Sequence, residues 1–367
     1  MKQIWILPFI FLLGACSTKE TSQPNFSAKL DSLYTKTFPS DAPGAAVLVM
    51  KGDSILFAKG FGLADIVTKE PISTKTLFNL GSISKTFVAN AILMLQEQGK
   101  LSVEDSLYKY FPDFKNKEIA QRVKIKHLLS HTSGLPDNRQ VSKDTVFYLT
   151  ANDAENWLPV TQTDTLVFEP GERYEYSNPA FNGLAIIIEQ VSGMRWQKFI
   201  ESTILKPSGM NTSTITDGPH PTTGVSHAYI NVQGQWKEDD YGEEPTFAAS
   251  GNGGVWSSVE ELAKYEQAIR NATFLKAETI TQSRTVFYPQ NWSDSIPPQI
   301  GWSWFVGQTQ DSLKTIGHTG SQGGFVANYV TVPDKDILFI MLCNTPRDIE
   351  ADAAIVLQFI KQENWLD

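Results

Sequence analysis

The segment Asn79-Leu80-Gly81-Ser82-Ile83-Ser84-Lys85-Thr86-Phe87 places a serine three residues ahead of a lysine. On a helix, residues three and four apart share a face, so the amine of Lys85 would lie one turn from the hydroxyl of Ser82. A hydroxyl beside a base is the minimum for making a serine nucleophilic, and the positive end of a helix dipole beneath the oxygen would favour its negative charge. The same spacing recurs at Ser106-Leu107-Tyr108-Lys109. A short motif needs structural context, and the second copy lies in a polar, aromatic turn that ends at Pro112. After Ser82, by contrast, Ile83, Phe87, Ala91 and Leu95 recur at helical spacing, and Val88, Ile92, Leu93 and Met94 widen the stripe until the helix reads as buried nearly all round. Gly99 stops it.

Histidines offer less. His127 and His131 are four apart, which invites a metal reading, but His131 already falls in the loop that runs to Pro136, and no H-E-x-x-H or cysteine pair accompanies them. No metal site is expected. His220 and His227 sit in Gly-, Pro- and Thr-rich sequence and read as solvated loop residues.

The surrounding elements read as a mixed α+β chain. A helix over 26–37 precedes two strands, 44–50 and 55–61, joined by the hairpin turn Lys51-Gly52-Asp53-Ser54. A long middle region follows. It holds a turn at Glu169-Pro170-Gly171, a helix over 179–191 opened by Pro179, a helix over 196–204, a surface loop over 207–224, a Gly-rich crossing over 248–255 and an amphipathic helix over 259–272 opened by Ser258. The last section changes character: 301–307, 313–319, 324–332 and 337–343 read as four successive strands, with a turn at Pro333-Asp334-Lys335-Asp336. Successive strands imply an antiparallel sheet, and a final helix over 351–361 would pack on it.

A chain of 367 residues with 41% hydrophobic and 19% charged residues can build a sizeable core. A net charge of −9 without a basic run argues against nucleic acid or an anionic lipid surface as the main partner. Residues 1–15 read as a signal segment, with Lys2 ahead of an apolar stretch over 4–13 that is too short to span a bilayer. Leu13-Gly14-Ala15-Cys16 resembles a lipoprotein processing site at which the Cys16 thiol is acylated, with 16–25 as a polar tether. The only other cysteine, Cys343, lies in an apolar strand and reads as a buried small hydrophobe.

With Ser82-Ile83-Ser84-Lys85, the stretches Tyr176-Ser177-Asn178 and His318-Thr319-Gly320 resemble the three ordered motifs of penicillin-recognising serine hydrolases, S-x-x-K, Y-x-N and K/H-T-G. The tyrosine motif points to the branch holding class C β-lactamases, D-alanyl-D-alanine carboxypeptidases, D-aminopeptidases and related esterases. Tyr229-Ile230-Asn231 also matches Y-x-N, but it follows the long loop, whereas Tyr176 sits between a Pro-Gly turn and a helix as the family pattern requires. The resemblance covers 26–367. It implies an antiparallel sheet flanked by helices, an α/β lobe over about 26–115 and 296–367, an inserted mostly helical lobe over about 116–295, and a site in the cleft between them.

The resemblance also implies roles. Lys85 and Tyr176 would both reach Ser82, with either as the base. The backbone N–H groups of Ser82 and Ser321, the latter following Gly320, would hold an oxyanion. Asn178 would bond Lys85 or the substrate amide, and His318 and Thr319 would meet a substrate carboxylate or leaving group. Glu169 and Glu172 lack the motif of a class A deacylating glutamate. The expected activity is an envelope serine hydrolase acting on an ester, an amide or a D-amino-acid peptide, on small-molecule or peptidoglycan-derived substrates, with no cofactor. A class C-type β-lactamase is the alternative, with less support because His318 stands where lysine would fix a charge. A non-turnover penicillin-binding sensor or cell-wall binding module is the alternative from another class.

Overall fold

The computed structural model describes residues 23–139, 150–215, 221, 223–239, 250–309 and 311–366. Six strands form one sheet in the spatial order Phe305–Gln308, Lys314–Gln322, Phe325–Val332, Ile337–Cys343, Ala45–Lys51 and Ser54–Phe61. Every adjacent pair is antiparallel. The two ends of the sequence meet in its middle, where Ala45 stands opposite Cys343 and Lys51 opposite Ile337. The fold is therefore α+β, as expected from the run of four C-terminal strands.

The two central strands are apolar at almost every position because the sheet is covered on both faces. Ala45, Val47, Val49, Phe339, Met341 and Cys343 face the terminal helices Gln23–Thr37 and Ile349–Gln362. Ala46, Leu48, Met50, Leu338, Ile340 and Leu342 face the larger core around the central helix Ser84–Glu97. Burying one large aliphatic or aromatic side chain stabilises by about 1.5–3 kcal/mol, so these two layers fix the register of the sheet. A one-residue slip would exchange its faces.

Several element ends differ from expectation for local reasons. The strand expected over 301–307 is confined to Phe305–Gln308, because Ser303 is left-handed and the Gly301 N–H bonds back to the Trp304 carbonyl at 2.8 Å, making a tight turn. The helix expected over 196–204 is α only in Trp196–Ile200 and widens to a π turn at Glu201–Leu205. The final helix starts earlier, at Ile349, where the Asp348 side chain accepts from the Ala351 N–H.

Helix Asn178–Ser192 packs against both Ser84–Glu97 and Asp153–Thr161. Helix Val259–Arg270, although within 116–295, lies on the sheet against Ala45–Lys51 and Ile337–Cys343. It brings Glu266 to Arg284, which donates at 3.1 and 2.7 Å, and to the Tyr329 hydroxyl. Burial alone would raise the Glu266 carboxyl, but the Arg284 charge and these hydrogen bonds hold it below the usual carboxylate range. No described helix is long and apolar enough to cross a membrane.

Candidate active site

Ser82 is placed by a short strand and a tight turn. Phe78–Asn79 pairs with Val255–Ser257, and the Leu80 N–H donates to the Val255 carbonyl at 2.9 Å. Gly81 then takes a left-handed conformation, and its N–H donates to Asn79 Oδ1 at 2.8 Å. Ser82 thus sits in a 3₁₀ turn, Gly81–Ile83, immediately ahead of the α-helix rather than in its first α turn. From the following turn Lys85, fully buried, brings Nζ to 2.9 Å from Ser82 Oγ and donates to the Asn252 carbonyl at 2.7 Å.

Burial, with the nearby Arg139 charge adding to it, pushes the Lys85 amine well below its ordinary range. A neutral amine keeps two N–H donors and gains a lone pair. With one N–H on Asn252, the lone pair can accept the Ser82 hydroxyl, which is the arrangement of a general base.

Sequence reasoning missed the seat of this amine. Asn252 is held by Ser250, which donates to its Oδ1 at 2.6 Å, and by its own donation to Asn182 at 3.3 Å. Asn182 and the Gly251 N–H both donate to Asp153, at 2.7 and 2.8 Å, and Trp196 Nε1 donates to its other oxygen at 2.8 Å. Burial lifts the Asp153 carboxyl to about 7 against the pull of these donors. The available signal was the run Gly251-Asn252-Gly253-Gly254, where glycines permit close backbone approach. A Cβ on residue 253 would lie 2.0 Å from Gln322 Oε1.

Tyr176 lies on the other side of Lys85, whose Nζ is 5.2 Å from the ring centroid. The stretch after Glu175 is fixed by His131, which the sequence reading set aside as a loop residue. His131 is fully buried and left-handed. Its carbonyl accepts from the Glu175 N–H and its Nδ1 from the Ser177 N–H, both at 2.9 Å, while its ring stacks on Tyr176 at 4.4 Å. Desolvation pushes its imidazole well below its ordinary range, so Nδ1 remains an acceptor. Ser177 then caps the helix Asn178–Ser192 through the Ala180 N–H.

The strand Lys314–Gln322 closes the site. Gly323 and Gly324, both left-handed, make a two-residue turn between Gln322 and Phe325. Gln322 and Phe325 are therefore the closing hydrogen-bonded pair, and Ser321, opposite Val326, turns its N–H away from that neighbour. On the other side the pairing with Phe305–Gln308 stops at Gly317. The outward groups of Thr319 and Ser321 thus face the turn that carries Ser82. The approach is tight: a Cβ on residue 320 would lie 2.0 Å from the Leu80 carbonyl oxygen, and one on residue 81 would lie 2.6 Å from the Ser321 nitrogen.

Ser82, Tyr176, Asn178, His318, Thr319, Gly320 and Ser321 all line one pocket of about 550 Å³, so all the motif residues converge there except Lys85, which lies beneath. The carboxylate role expected of His318 does not fit. His318 is 2% exposed, and burial pushes its imidazole down to about 3, leaving it uncharged at neutral pH. Asn178 keeps a buried Oδ1 with no partner, while Lys85 uses Asn252 instead.

The decoys lie elsewhere. Lys109 of the second S-x-x-K bonds Asp105 at 2.8 Å. Tyr229 is buried, and its hydroxyl accepts from the Ile66 N–H at 3.2 Å. His127 accepts from the Lys124 N–H, and His227 faces Glu238. Glu169 pairs with Arg122. Among the described residues no three metal-ligating side chains gather. Cys16 and His220 lie outside the described residues.

A family model described as Beta-lactamase matches residues 34–358. The chain is 30% identical to "Penicillin-binding protein 4*" of Bacillus subtilis over 329 residues, covering 84% of this chain and 70% of that protein. The octameric penicillin-binding protein homologue from Pyrococcus abyssi superposes with a TM-score of 0.75 at 27% identity, covering 87% of this chain and 73% of that one. A D-amino acid amidase from Ochrobactrum anthropi shares the fold, with a TM-score of 0.75 at 19% identity over 94% of this chain and 99% of that one.

Proposed function

The chain belongs to the Beta-lactamase family of serine hydrolases, and from that premise we propose that it cleaves an ester, an amide or a D-amino-acid peptide bond through an acyl-enzyme on Ser82. The observation that carries the reading is the buried Lys85 amine 2.9 Å from Ser82 Oγ. Neutral Lys85 takes the hydroxyl proton as Ser82 Oγ bonds to the substrate carbonyl carbon. The backbone N–H groups of Ser82 and Ser321 receive the developing oxyanion. Removing one such donor typically costs about a hundredfold to a thousandfold in rate. The proton passes through Tyr176 to the leaving group as its bond breaks. Water then adds to the acyl carbon, giving up its proton along the same path, and Ser82 leaves.

An uncharged His318 gives no cation for the carboxylate of a β-lactam, so the class C-type β-lactamase is the weaker reading. The second part of the proposal is a lipid tether at Cys16 in a bacterial envelope, supported by Leu13-Gly14-Ala15-Cys16.

The test is intact-mass labelling with a fluorophosphonate and a fluorescent penicillin side by side, followed over time. Ser82→Ala should abolish labelling and hydrolysis with the fold intact, and Ser106→Ala should do neither. A label that never turns over would favour a binding sensor, and labelling that survives loss of Ser82 would remove the proposal.

A further inference from the structure

His131 makes three contacts in a row along the segment that carries Tyr176. Its carbonyl accepts from the Glu175 N–H, its Nδ1 accepts from the Ser177 N–H, and its ring stacks on Tyr176 itself, with centroids 4.4 Å apart and planes at 24°. One residue thus holds the phenol and the backbone on both sides of it. The loop continues the lacing: the Thr132 carbonyl accepts from the Gly171 N–H at 2.7 Å and the Gly134 carbonyl from the Val167 N–H at 2.8 Å. His131 reaches this position with a φ of 56°, a left-handed conformation uncommon outside glycine and asparagine. Backbone outliers of this kind cluster at functional sites.

An imidazole is a costly choice here. Nδ1 accepts a backbone N–H, so the proton of the neutral ring is on Nε2. That Nε2 is buried and has no hydrogen-bond partner among the described residues. Buried polar atoms are almost always paired, and an unpaired one calls for a reason. Phenylalanine would stack without an orphaned N–H, but it could not accept from Ser177. Asparagine suits the left-handed backbone and could accept, but it has no ring. Histidine does both from one position. Tyr176 gains from both, because its side chain is 37% exposed while Lys85 beneath it is fully buried. A phenol that passes a proton from Lys85 to a leaving group must keep its oxygen in reach of each. The imidazole is the wall its ring rests on, bordered in turn by Tyr174 and Phe181 at 5.9 and 5.2 Å.

We propose that His131 is a positioning residue for Tyr176, clamping the backbone on both sides of the phenol and backing its ring so that the proton reaches the leaving group. The proposal rests on the reading that Tyr176 carries that proton. In the step concerned, the bond from the acyl carbon to the leaving oxygen breaks and the proton taken from Ser82 ends on that oxygen. His131 touches neither atom and acts through the tyrosine. A buried histidine that merely ties a loop to the fold would alter stability and leave proton delivery alone.

The test separates the two by leaving group. p-Nitrophenyl acetate and ethyl acetate deliver the same acetyl group to Ser82, but nitrophenolate leaves as a stable anion, whereas ethoxide must be protonated as its bond breaks. General acid catalysis typically contributes about a hundredfold to ten-thousandfold. In Tyr176→Phe the ratio of kcat/KM for the nitrophenyl ester to that for the ethyl ester should therefore rise by at least about a hundredfold. His131→Phe keeps the ring and loses the acceptor, and His131→Asn does the reverse. Each should raise the ratio about tenfold, the mark of a misplaced group. His127→Phe is the matched control, since His127 is also buried and its Nδ1 accepts from the Lys124 N–H at 3.1 Å. Its ratio should stay at the wild-type value. Both esters are read on one sample, so the ratio does not depend on the fraction that folds. The wild type gives a second reading by ¹⁵N NMR at about pH 7, where His131 should be the neutral Nε2–H tautomer. An Nδ1–H tautomer overturns the proposal. So does a wild-type ratio in either His131→Phe or His131→Asn when Tyr176→Phe raises it, and the proton path through Tyr176 then stands. A Tyr176→Phe variant that keeps the wild-type ratio removes that path and the proposal with it.

Discussion

Lys85 is a side chain that evolution would place in a core only for its chemistry. Burial disfavours its charged form, so the folded protein binds fewer protons at this site than the unfolded chain does below about pH 10.4. By linkage, wild-type stability rises with pH in that window and is lost as pH falls toward the depressed folded value. Lys85→Met, which removes the titrating group and keeps most of the volume, should abolish activity. Its melting temperature should gain on the wild type progressively as pH falls from about 9 to about 6. A pH-independent difference between the two melting temperatures would mean that Lys85 stays charged in the fold and that Tyr176 must be the base. At this scale, the pair Ser82 and Lys85 was legible in local spacing, and Tyr176 was legible only through the motif that the family resemblance supplied. Asn252 and His131 were not, because Asn252 meets Lys85 across 167 residues and His131 meets Ser177 across 46. No periodicity records such a meeting.

The element that decides the chemistry is the strand Lys314–Gln322 against the turn at Ser82. Its existence followed from a run of consecutive strands and the turn at Pro333, and Gly320 was legible as part of a motif. Which way the Ser321 N–H points was not, since it depends on the two-residue turn at Gly323 and Gly324 and on where the outer strand stops. Gly320→Ala would drive a methyl group to 2.0 Å from the Leu80 carbonyl oxygen, so the turn and the strand must separate. The oxyanion donors would separate with them. The variant should therefore label Ser82 about a hundredfold more slowly than wild type. Gly307→Ala, in the outer strand, meets its nearest neighbour, Thr315 Oγ1, at 3.1 Å and serves as the control, with labelling near wild type. A folded Gly320→Ala that reacts at the wild-type rate would show that the close fit is not what aligns the donors.

For the whole molecule, the run of successive C-terminal strands and the final helix foretold an antiparallel sheet with a helix packed on it. The buried Glu266, Arg284 and Tyr329 cluster went unread because charged residues far apart in sequence look solvated until the fold joins them. The described body begins with helix Gln23–Thr37, seated on the sheet through Phe26, Leu30 and Tyr34. From Cys16 to Gln23 the chain advances seven residues, and so can reach no more than about 25 Å. A tether of that reach, acylated at Cys16, would hold an acidic body, from a chain whose full sequence carries a net charge of −9, close to a bilayer whose anionic lipids repel it. Membrane residence would then depend on the lipid chains alone. The protein should stay with the membrane through a wash at about 1 M salt, where the Debye length is about 3 Å, and should move into the detergent phase on solubilisation. Cys16→Ser should leave it in the aqueous fraction or as an unprocessed precursor. Wild-type protein recovered in solution with an unmodified Cys16 would refute the anchor and leave the chemistry at Ser82 untouched.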